Sequence, residues 1–258
     1  MSDDDLNDDK MPLIEHLAEL RKRLIYCCLG IIIAFFIFYW FAGNIYNFLV
    51  QPLADVTKGQ VGRRMIFTGL HEAFFTQIKV AFFAATCLAF PIITIQLWRF
   101  IAPGLYKAEK NAFLPFVLAT PVLFIAGASV VYYLVMPLAW EFFLSFEQLG
   151  GKGVLPMQLE PKVDEYLSLV MRLILAFGIC FELPVFIILL TKVGLTNSTS
   201  LKAKRKYAIL IAFIVAAVVT PPDVISQVLL AVPVILLYEI SIYCSQLIEK
   251  RTIDRSVD

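Results

Sequence analysis

The sequence predicts an all-α membrane protein with six transmembrane helices, the last two short. Three observations carry that expectation. The 258 residues are 60% hydrophobic and only 17% charged, with a mean hydropathy of +0.79, which is the composition of a polytopic membrane protein. Apolar runs of membrane length alternate with short charged segments. Lysine and arginine are distributed unevenly between alternate connections, as the positive-inside rule requires of a chain threaded through a bilayer.

The first predicted span covers about 24–42, and residues 24 to 54 carry no charge at all. A charged collar, His16-Leu17-Ala18-Glu19-Leu20-Arg21-Lys22-Arg23, precedes it on a short amphipathic segment. The second, third and fourth spans, about 73–98, 113–135 and 166–191, are long enough to cross by themselves. The fifth, about 207–220, covers only about 21 Å at 1.5 Å per residue, against a hydrocarbon core of about 30 Å. The sixth, about 224–243, is interrupted near its end by Glu239. Between the last two, Thr220-Pro221-Pro222-Asp223 predicts a tight hairpin, with the prolines stopping one helix and Asp223 capping the next. The whole chain, 1–258, is expected to form a single integral-membrane domain. The acidic start, MSDDDLNDDK, is unlike the basic beginning of a cleaved signal peptide, so the first helix is expected in the mature protein.

The connections at one membrane face hold fifteen Lys and Arg and those at the other hold five. Both termini are therefore expected in the cytoplasm. The net charge of +1 gives no reason to expect nucleic acid as a partner. The five cysteines lie in or beside apolar runs without metal-ligand spacing and are expected to act as small hydrophobes. His71-Glu72 begins a zinc-protease motif, but Phe75 stands where its second histidine belongs. With no nucleophile elbow, phosphate-binding loop, catalytic residue or cofactor site in view, the sequence predicts a protein that is not an enzyme.

Polar residues inside the spans are the next candidates, because a charge at a helix centre costs about 2.5–3.5 kcal/mol on insertion scales. Lys79 and Arg172 lie near span ends, where their long side chains can reach the interface, and neither is given a role. Glu182 lies deeper, with no cation three or four residues away. It is either a carboxyl bonded within the bundle or a polar point on a groove facing a partner. Asp223 and Gln227, at the last hairpin, are candidates for capping and helix contact.

Four stretches belong together: the collar around Glu19, Phe100-Ile101-Ala102-Pro103-Gly104-Leu105-Tyr106 continuing to Glu109, Phe181-Glu182-Leu183-Pro184, and Thr220-Pro221-Pro222-Asp223-Val224 continuing to Ser226-Gln227. In this order they resemble one known family, TatC, the multi-span subunit of the twin-arginine protein translocase. The likeness runs in order from about residue 12 to 246. It implies a cup-shaped bundle of six spans in the bacterial inner membrane. It also implies recognition of twin-arginine signal peptides on folded cargo, work with TatA-type and TatB-type single-span proteins, several copies per complex, and export driven by the proton-motive force.

Residue by residue, the resemblance implies a signal-peptide site made by Glu19 and Glu109 and shaped by Leu20, Arg21 and Phe100. It leaves Pro52, Pro103, Phe74 and Phe75 with shaping roles, and Glu182, Gln227 and Asp223 with partner contacts inside the membrane. The chemistry fits, since carboxylates in a partly dehydrated pocket are natural receptors for guanidinium groups. The residues alone leave local ion pairs open, Glu19 with Arg23 and Glu109 with Lys107 or Lys110. A six-span transporter for a small solute is the alternative, with Glu182 and Lys79 on its pathway.

Overall fold

A computed structural model describes residues 13–58, 62–101, 110–148, 150, 155–192, 194–220 and 223–257. Among these, α1 (Leu13–Trp40), α2 (Ala42–Val56), α3 (Glu72–Ile101) and α4 (Lys110–Val130) are followed by a π turn at Val131–Val135. Then come α5 (Met136–Leu144), α6 (Val163–Phe181), α7 (Leu183–Lys192), α8 (Ser198–Ala203), α9 (Arg205–Val219) and α10 (Val224–Val257). Isolated bridges, Ile66 with Lys162 and Gln148 with Met157, are the only β pairings among the described residues.

Five segments are long and apolar enough to cross a bilayer: Leu17–Trp40, Glu72–Leu97, Leu118–Leu144, Val163–Lys192 and Val224–Lys250. Helix α9, with 15 residues, spans about 22 Å and falls short, as its sequence predicts. The last helix departs from expectation. It runs for 34 residues, past the expected end near 243, and Glu239, expected to shorten it, is matched by Arg205 of α9 at 2.7 Å. Two further contacts hold its extension: Thr191 Oγ1 lies 2.9 Å from Ser245 Oγ, and the Ser198 amide donates to Glu249 Oε1 at 2.6 Å.

The prolines explain most irregularities. Pro137, one residue into α5, cannot donate to the carbonyl four residues back and its ring crowds that carbonyl, so the preceding turn widens into the π form. Pro184 likewise lacks an amide, and there the fourth predicted span divides into α6 and α7 at a tight turn in which the Glu182 amide donates to the Ile179 carbonyl at 3.0 Å. Pro52 sits inside α2 and is buried. It leaves the Phe48 carbonyl without an amide, and Tyr132 supplies the missing donor from its hydroxyl at 2.7 Å. The Tyr132 ring also stacks on Phe48, with centroids 4.4 Å apart.

Helix α6 is the centre of the bundle. It packs against α3 and α4, while α1 lies on α3 and α10 lies against α7 and α9. Leu167, Val170 and Phe177 of α6 are fully buried with Val80, Val131, Met136 and Leu230. Gly127 of α4 and Gly178 of α6 let the two backbones approach. A Cβ at Gly127 would stand 2.6 Å from the Phe177 carbonyl oxygen, and one at Gly178 would run into the Phe124 ring. Small residues at crossings are how membrane helices gain close packing where lipid offers no hydrophobic drive.

The two loops after α2 and α5 knit into one cap. Arg63 grips the Glu147 carboxylate with both terminal nitrogens, and Glu147 also accepts the Leu159 amide at 2.7 Å. Backbone bonds join Ile66 to Pro161 at 3.1 Å and Val163 to Ile66 at 2.9 Å. At the same face, Glu72 accepts the amides of Thr68 and Gly69 at 3.0 and 3.2 Å. Lys79, expected to snorkel, is instead paired with Asp164 of α6 at 2.5 Å.

Candidate functional site

The collar continues α1 without a break, which puts Glu19 and Arg23 one turn apart on the same face. Arg23 donates to Glu19 Oε1 from Nε at 3.0 Å and again from Nη2. Its remaining terminal nitrogen donates to Gln96 Oε1 of α3 at 3.0 Å. The local pair that the residues left open therefore exists, and it consumes only half of the carboxylate. Glu19 Oε2 is shielded and accepts no hydrogen bond among the described residues. A carboxylate with one oxygen neutralised and the other waiting in a partly dehydrated position is a receptor for one more strong donor.

Leu20, Arg21 and Lys22 are exposed around it. Phe100 lies one turn beyond Gln96 on α3, half-buried, so α3 brings it to the same end of the bundle as Glu19. Glu109 and Pro103 lie outside the described residues. Gln96 is a residue that sequence reasoning missed, and its only prior signal was an amide near the end of an otherwise apolar run.

Glu182 stands at the break between α6 and α7, half-buried. Thr120 of α4 is the polar side chain beside it, and no close hydrogen bond satisfies either carboxyl oxygen. Asp223 caps α10 as its position predicts, accepting the Ser226 amide at 2.6 Å, while its other oxygen is buried and unbonded. Gln227 donates to the Phe213 carbonyl of α9 at 3.1 Å, tying the two arms of the hairpin. Pro52 is buried, whereas Phe74 and Phe75 are half exposed, edge to face with centroids 5.7 Å apart.

Sequence reasoning also missed the Arg63–Glu147 clasp. Nothing local announces it, since the partner of Arg63 lies 84 residues away. In the clasp each charge favours the other: Arg63 and the Leu159 amide hold the Glu147 carboxyl below the usual carboxylate range, and Glu147 pushes the Arg63 guanidinium up.

Residues 15–233 match the model of the family described as Sec-independent protein translocase protein (TatC). A relative of that description from Magnetococcus marinus is 49% identical over 244 residues, covering 95% of this chain and 87% of its own length. One from Escherichia coli K12 is 40% identical over 239 residues, covering 93% and 90%. A crystal structure described as the twin-arginine translocase receptor TatC superposes with a TM-score of 0.78 at 39% identity, covering 90% of this chain and 98% of the other.

Proposed function

This chain belongs to the TatC family of Sec-independent protein translocase proteins, and from that premise we propose that Glu19 and Glu109 receive the paired arginines of a signal peptide. The observation that carries the assignment is the half-engaged Glu19 carboxylate. Incoming guanidinium groups take the spare oxygen, and Arg23, itself anchored to Gln96, holds the acceptor in place. Leu20, Arg21 and Phe100 shape the approach.

In this reading the chain has six spans, with both termini at the cytoplasmic face of a bacterial inner membrane. Helix α9 crosses where the bilayer thins, at a modest cost per Å of mismatch. The helices form a cup whose concave face, carrying Glu182, Asp223 and Gln227, takes TatA-type and TatB-type single-span subunits, several copies to a complex. The proton-motive force drives export of the folded cargo, and the chain itself catalyses no covalent step.

Co-purification tests the assignment. The full chain, expressed with its host's single-span subunits and a twin-arginine precursor, is expected to yield one stable complex. Uptake of small solutes by the purified chain in liposomes, with no such complex forming, would instead support a transporter.

A further inference from the structure

We propose that Arg172 is a counter-ion site on the exposed face of α6 for a carboxylate carried by a partner's transmembrane helix. Arg172 sits six residues past Tyr166, about 9 Å along the helix, inside the Val163–Lys192 segment. It is exposed and makes no ion pair or hydrogen bond among the described residues. A permanently charged guanidinium on a membrane-spanning helix is costly unless it reaches the interface or something neutralises it. Held in a cleft beside other helices, it is served best by a counter-ion.

The nearby acids are already committed. Asp164 is paired with Lys79 at 2.5 Å and Glu165 with Lys162 at 3.7 Å. Glu165 also lies two turns away, about 10 Å along the axis. What remains is one cation without a close partner in a cleft of about 880 Å³, walled by Trp140 and Phe143 of α5, Thr220 at the end of α9 and Leu169 of α6, with Asp164 and Glu165 also on its lining.

The occupant follows from what else shares the face. Exposed or half-exposed positions recur on α6 at Glu165, Leu169, Arg172, Ala176 and Ile179, a single stripe at helical spacing. Glu182 continues it, about 15 Å further along, with the Thr120 hydroxyl as its polar neighbour and neither carboxyl oxygen in a close hydrogen bond. A lipid phosphate could match Arg172, but it could not also serve Glu182 through the apolar stretch between them. A helix lying along the stripe does both when it presents a carboxylate opposite Arg172 and a hydrogen-bond donor about ten residues away. A carboxylate meets the planar guanidinium fork with two parallel bonds. The inference rests on the reading that the concave face takes a single-span subunit.

Photo-crosslinking separates the two. The full chain, bearing a photoreactive residue at Leu169 or Ile179, is expressed in membranes with its host's TatA-type and TatB-type subunits. Both positions are expected to capture a single-span subunit. Arg172→Glu is expected to lower capture at least about tenfold, Arg172→Lys to keep most of it, and Arg in place of the captured helix's acidic residue to restore it. If Arg172→Glu does not accumulate, Arg172→Gln is expected to give a similar loss. Unchanged capture in these variants, or a loss that charge reversal never restores, overturns the counter-ion site while leaving subunit docking intact. Loss of co-purifying phosphatidylglycerol with subunit capture unchanged makes the counter-ion a lipid phosphate and also overturns it. No subunit captured by the unsubstituted chain removes the docking reading itself.

Discussion

Tyr132 and Pro52 show how one residue's deficit becomes another's function. Pro52 removes an amide from α2, and the Tyr132 hydroxyl satisfies the carbonyl so exposed. Tyr132→Phe is therefore expected to cost about 1–3 kcal/mol, the penalty of a buried acceptor left unbonded. In a Pro52→Ala background, where an amide returns to Phe48, the same change should cost less. Additive costs in that double-mutant cycle would contradict the pairing. Glu147 makes a pH prediction. Its folded pKa is held below the usual value of about 4.3, so its stabilisation is complete above that pH and is lost as pH falls through the lowered value. Wild type should melt above Glu147→Gln at pH 7, and the gap should narrow as pH falls below about 4. A gap of unchanged size throughout the acid range would show that the clasp is not its source.

At the scale of elements, the α4–α6 crossing depends on having no side chain at two positions. Gly178→Ala is expected to destabilise the protein by about 1–3 kcal/mol through overpacking. Gly30→Ala, at a site with no atom within 4 Å of the added carbon, should leave stability unchanged or slightly raised. Equal melting of the two variants in detergent would sink the close-approach account. Apolar length and proline placement predict α3, the α6–α7 segment and the short α9 within a few residues. Helix α2, the continuation of the third span through α5 to Leu144, and the extent of α10 were not legible. Glu239 looks like an end until Arg205, 34 residues earlier, is known to stand beside it, and pairings between distant segments leave no local pattern.

For the whole molecule, the charge bias predicts a topology that no single helix reveals. Cysteines introduced at Lys58 and at Lys202, in a chain freed of its native cysteines, should label from opposite sides of the membrane, the second only from the cytoplasm. Labelling of both from one side would overturn the threading. The candidate site was legible only in part. Glu19 stands out because topology needs the collar's cations and not its carboxylate, but nothing local announces Gln96 or the single spare oxygen, which exist only because α1 lies on α3. The central claim is that this oxygen receives a signal arginine. Its most direct test is crosslinking of a twin-arginine signal peptide to the purified full chain, comparing wild type with Glu19→Lys and a twin-lysine peptide with the twin-arginine one. Crosslinking at least about tenfold weaker in both comparisons, from a variant that still inserts and accumulates, is the predicted result; equal crosslinking by wild type and Glu19→Lys would contradict it.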